Sequence, residues 1–117
     1  MIRQYIEVGD RNWGIVIYYN VGREDLDELA EALESLDCPL EDIEDSLSVI
    51  YRRKNTGFTF SNSEYKMSIV CISKATSASQ FVHTAVHEAK HVQSHICAFY
   101  DIDENSESAA YLIGHIV

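Results

Sequence analysis

From about Ala78 to Tyr100 the apolar residues recur at helical spacing, and this stretch governs how the rest of the chain can be arranged. At roughly 100° per residue from Phe81, the side chains of Phe81, Ala85, Ala89, Val92, Ile96 and Phe99 fall within an arc of about 80°. His87 and His91 fall at about 240° and 280° on the same count, roughly opposite that arc. A helix patterned in this way buries one face and presents histidines on another. Ser77-Ala78-Ser79-Gln80 reads as the capping box that opens it.

The histidine face contains His87-Glu88-Ala89-Lys90-His91, the order His-Glu-x-x-His. Residues four apart lie one turn apart, so both imidazoles can reach one ion. Zinc accepts such nitrogens at about 2.0–2.1 Å and, in catalytic sites, typically keeps three protein ligands and one open position. Glu88, next to the first ligand, is then placed to take a proton from water at that position. The competing reading is an exposed polar face that happens to carry histidines. His83 and His95 extend the ladder, but neither has a Glu directly after it that completes the pattern, so solvent-facing or supporting roles are expected for them.

A third ligand is required. In the extended pattern H-E-x-x-H-x-x-G-x-x-H, the glycine position here is Ser94 and the last position is Cys97. Without the glycine the helix need not turn, and Cys97 reads as a small core-side residue. Glu107, 16 residues past His91, allows one helix to finish and another to return antiparallel, and Glu104 is the reserve. A favourable charge in a helix first turn is the plain alternative for Glu107. In that final segment Ala109, Ile113 and Ile116 mark a packing face, with Glu107, Tyr111 and His115 along another side.

The preceding residues supply a sheet and further helices. Ile2 to Val8 and Trp13 to Tyr19 are rich in β-branched and aromatic residues around the turn chemistry of Gly9-Asp10-Arg11-Asn12, which predicts a hairpin. Leu26, Leu29, Ala30, Leu33 and Leu36 predict a helix that stops by Cys38, because Pro39 follows. Leu40 to about Ile50 predicts a second helix, and Gly57 to Ser61 and Lys66 to Ser73 predict strands. The expected class is α+β, a single domain over residues 1–117 in which a short sheet carries helices on one face.

Charge narrows the functions available. Nineteen acidic against nine basic residues give a formal net charge of −10, which argues against a phosphate-backbone surface. The single basic run, Arg52-Arg53-Lys54, reads as a solvated loop. No apolar run approaches the roughly 18 residues that span a bilayer, and Met1 to Tyr5 lacks the apolar core of a signal peptide. Cys38, Cys71 and Cys97 are odd in number and lack C-x-x-C spacing, which suits reduced thiols in the cytoplasm.

His87-Glu88-Ala89-Lys90-His91 followed by Glu107-Ser108-Ala109-Ala110 resembles the gluzincin class of zinc metallopeptidases. The second element matches the E-x-x-A form of small phage- and repressor-associated, ImmA- and IrrE-like members. The stretches from Asn55 to Phe60, from Ser68 to Ser73 and from Ala109 to Gly114 look like small phage-type proteins carrying this motif. The resemblance covers the C-terminal half. It implies a small zincin-like domain whose active-site helix is followed by a helix carrying the third ligand. His87, His91 and Glu107 would hold Zn2+, Glu88 would be the general base, and a peptide or protein would be the substrate. Some gluzincins place an Asp four residues after the Glu ligand, and here that position is Tyr111. Tyr111, Tyr100 and His115 are the candidates for stabilising the transition state or supporting the ligands. Because the supporting shell departs from the family pattern, a second expectation stands beside the first: a zincin-fold metal-binding or protein-interaction module, of phage or mobile-element type, without useful catalysis.

Overall fold

The computed structural model describes residues 1–9 and 12–101. Ile2–Val8 (β1) and Trp13–Val21 (β2) form the expected antiparallel hairpin, running from the pair Ile2 and Tyr19 to the pair Val8 and Trp13. A short 3-10 turn, Arg23–Asp25, leads into helix α1 (Leu26–Ser35), and α2 follows at Leu40–Arg52. Strands β3 (Gly57–Asn62) and β4 (Met67–Ser73) precede the long helix α3 (Ala78–Tyr100). The result is an α+β domain with one four-stranded mixed sheet in the order β1-β2-β4-β3. Among the described residues no helix is long and apolar enough to cross a membrane.

The sheet is covered on both faces, not one. On one side Val8, Trp13, Ile15, Val70 and Ile72 pack against Ala89, Val92 and Ile96 of α3. On the other, Val16, Tyr18, Val21, Ile69 and Cys71 pack against Leu29 and Leu33 of α1 and Ile43 and Ile50 of α2. Side chains alternate across a strand, so an uninterrupted apolar run such as Ile69-Val70-Cys71-Ile72 must be buried from both sides. That run is the reason one helical layer could not suffice. Burying each large aliphatic side chain from these sets contributes roughly 1.5–3 kcal/mol.

Position in the sheet also corrects an expectation about β4. A strand over Lys66 to Ser73 would suit an extended substrate only if it lay at an edge of the sheet. It is instead an interior strand, parallel to β2 and antiparallel to β3. The edge beside α3 belongs to β3. Lys66, at φ 51°, is the left-handed last residue of the turn from Ser63, so β4 starts only at Met67. Helix α3 has the bounds the periodicity predicts. Ser77 Oγ accepts from the Gln80 backbone N–H at 3.1 Å, and Asp101, at φ 55°, ends the helix in the left-handed conformation.

Candidate metal centre

The apolar arc of α3 from Phe81 to Ile96 lies on the sheet, with Phe99 beyond it exposed, so the other positions are fixed in direction. His87 and His91 emerge exposed, whereas Glu88, about 100° further round the helix than His87, turns under strand β3 and is only 3% exposed. His87 Nε2 and His91 Nε2 lie 3.2 Å apart, with the rings at 84° to each other. Two nitrogens held tetrahedrally at about 2.05 Å from one zinc ion would be separated by roughly 3.3 Å. The spacing of the two nitrogens, itself within hydrogen-bonding range, is thus compatible with both facing one ion. One ligand atom from each of His87, Glu88 and His91 lies within 4.8 Å of the other two, and this group could hold a metal ion.

Glu88 is held from the sheet side. Its Oε1 accepts a hydrogen bond from Thr59 Oγ1 at 2.8 Å, and the same hydroxyl lies 3.5 Å from the Glu88 carbonyl oxygen. The alternation Phe58-Thr59-Phe60-Ser61 explains the arrangement. Phe58 and Phe60 join the core beneath α1 and α2, which sends Thr59 and Ser61 to the face under α3. Gly57 allows the strand and helix to come this close. A Cβ there would stand 2.5 Å from the Cys71 carbonyl oxygen and 3.2 Å from Glu88 Cγ.

One turn beyond His91, a second polar connection crosses the same seam. Trp13 Nε1 donates to Ser68 Oγ at 2.9 Å, Ser68 Oγ lies 2.7 Å from Ser61 Oγ, and Ser61 Oγ lies 2.6 Å from His95 Nδ1. Indole N–H can only donate, so Ser68 Oγ accepts from Trp13, and either serine hydroxyl can donate to the other. The Ser61–His95 bond can form with either tautomer of the ring, the hydroxyl donating to a bare Nδ1 or accepting from Nδ1–H. Burial of the imidazole holds its pKa below the usual histidine range, and nearby His91 pushes in the same direction.

The other candidate residues are distributed as follows. His83 is exposed on the first turns of α3, outside the group. Cys97 is 1% exposed within the core formed with Trp13 and Ile15, so the extended-pattern ligand position points away from the histidines. Tyr100 is nine residues past His91, about 13 Å further along the helix, and its ring packs at 6.4 Å on that of Trp13. It is not brought to the pair. Glu104, Glu107, Tyr111 and His115 lie outside the described residues. Thr59 and Ser61 are the site-building residues that reasoning on motifs missed. Their signal was present in the Phe/Thr/Phe/Ser alternation of β3, but it becomes informative only once β3 is known to run beneath α3.

Comparison of the chain with protein-family models, with curated proteins and with solved structures finds no significant match.

Proposed function

We propose that this chain is a small zinc-dependent metallopeptidase of zincin-like type, acting on a peptide or protein in a reducing, cytoplasmic setting. The observation that carries the reading is the 3.2 Å approach of His87 Nε2 and His91 Nε2 beside the buried Glu88 carboxylate. His87 and His91 would hold the ion, and Glu107 would complete the ligand set. Bound zinc supplies Lewis acidity, polarising a carbonyl and lowering the pKa of water from 15.7 to about 7. Glu88 accepts the proton of the attacking water and returns it to the leaving amine. Thr59, bonded to Glu88 Oε1, fixes which carboxylate oxygen is left for that transfer. The outer edge of β3 has no strand partner among the described residues, so an extended peptide can add there and lie across the carboxylate. The free thiols of Cys38, Cys71 and Cys97, all buried, accord with a reducing compartment.

The test is cleavage of a peptide library by wild type and Glu88→Gln, each with and without chelator. Chelator-sensitive cleavage that falls by about a hundredfold or more in the variant, with metal content unchanged, supports the assignment. Full, chelator-sensitive cleavage by Glu88→Gln would remove Glu88 from the mechanism.

A second reading is favoured by one observation: Glu88 is already bonded to Thr59 and almost wholly covered. A carboxylate held in that way suits a metal-bearing interaction module without turnover. One zinc ion per chain, with no cleavage across the library, distinguishes it.

A further inference from the structure

The chain is strongly acidic, yet much of its positive charge gathers at one place outside the histidine group. Five of its nine Lys and Arg residues, Arg23, Arg52, Arg53, Lys54 and Lys74, line a single open hollow of about 300 Å³. They arrive from three separate parts of the sequence: the turn after β2, the end of α2 and the residue after β4. Glu24 is the only acid in the lining among the described residues. It is engaged by Lys74, whose Nζ lies 3.1 Å from Glu24 Oε1.

The remaining cations are presented rather than neutralised. Arg23 is braced by Tyr51, with its Nε donating to the Tyr51 carbonyl oxygen at 3.2 Å and its guanidinium 4.3 Å above the ring. Its terminal nitrogens carry no bond among the described residues. Arg52, Arg53 and Lys54 are exposed and make neither an ion pair nor a hydrogen bond through their side chains among the described residues. A cation at the end of α2 complements the helix dipole, which accounts for Arg52 but not for the convergence of Arg23 and Lys74 on the same spot.

We propose that this hollow binds a compact oligophosphate, either inorganic or the phosphate tail of a nucleotide. Arginine forks and lysine ammonium groups from several directions match clustered phosphate oxygens. The size of the hollow and its surroundings argue for a small ligand. Helix α2, which runs out from the hollow, carries Glu41, Asp42, Glu44 and Asp45, so an extended nucleic-acid backbone would have to cross an acidic face.

The experiment is an amide NMR titration of the full chain with inorganic pyrophosphate, with ATP and with a short single-stranded oligonucleotide. Far-UV circular dichroism checks the fold of each variant. Saturable binding of pyrophosphate and ATP at one per chain is expected, with shifts centred on Gly22, Arg23, Arg53, Lys54 and Lys74. Arg53→Ala and, separately, Lys74→Ala should each weaken it about tenfold. The same shifts in His87→Ala would show that neither probe is chelating metal at the histidine pair, so the outcome is independent of the peptidase reading. No saturable shift at millimolar pyrophosphate would overturn the proposal. So would unchanged affinity in both folded variants, or an oligonucleotide that binds as tightly as pyrophosphate.

Discussion

Thr59 donates to Glu88 across the seam between the edge strand and the histidine helix, at 2.8 Å. The bond ties the carboxylate beside His87 to the sheet rather than leaving it on a free rotor. It also makes β3 part of the site, because any shift of the strand moves the carboxylate. Thr59→Val preserves the shape and removes the donor. It should destabilise the protein by about 1–2 kcal/mol in urea unfolding, because a buried carboxylate oxygen loses its partner. Glu88→Gln keeps an acceptor for Thr59 and should stay within about 1 kcal/mol of wild type. Equal stability of Thr59→Val and wild type would mean that the bond does not hold Glu88.

Ser68 is fully buried and stands between Trp13 and Ser61. Ser68→Ala leaves the indole N–H of Trp13, itself 1% exposed, without its acceptor. A loss of about 1–3 kcal/mol is expected. Trp13 is the sole tryptophan, so its fluorescence should also respond. An unchanged spectrum together with unchanged stability would contradict the bond from Trp13 to Ser68.

The pH dependence of folding follows from His95. Its folded pKa lies below the ordinary value of 6.5, first because of burial. As pH falls, the unfolded chain takes up the proton before the folded one does. Stability from this residue is therefore intact above the ordinary histidine range and declines as pH drops through about 6.5 towards the folded pKa. His95→Gln should flatten that part of a stability-against-pH curve measured by denaturant unfolding. An equally steep decline in the variant would assign the effect to other groups.

Cys71, on β4, is fully buried on the sheet face that packs against α1 and α2, and burial drives its thiol far above the usual range, with the Glu88 charge adding to the effect. Cys38 is raised as well, again by burial first. Thiolate is the reactive form, so native protein at neutral pH should resist alkylation at both positions until unfolded. Mass spectrometry after a brief iodoacetamide pulse reads this directly. Rapid labelling of Cys71 in folded protein would contradict the placement of β4 as an interior strand.

Much of this architecture is written locally in the chain. The bounds of α3, its Ser77 cap and the hairpin follow from periodicity, capping and turn residues, all of which act over a few positions. The direction of His87 and His91 away from the core follows from the same periodicity. What local pattern did not convey was strand order. The parallel pairing of β2 with β4 depends on how the connection through α1 and α2 crosses one face of the sheet, and with that pairing β3 lies at the edge. Covering of both sheet faces was signalled by the unbroken run from Ile69 to Ile72, whose meaning is ambiguous until its neighbours are known. Thr59 and Ser61 were obscure for the same reason: their roles come from a helix some thirty residues away in sequence.

The account rests on His87 and His91 sharing one cation with carboxylate support. Its most direct test is elemental analysis of protein purified without a metal-affinity tag, comparing wild type with His87→Ala. The account predicts about one zinc ion per wild-type chain and loss of that metal in a variant that remains folded. Wild-type protein that contains no zinc and takes up none on titration would contradict it.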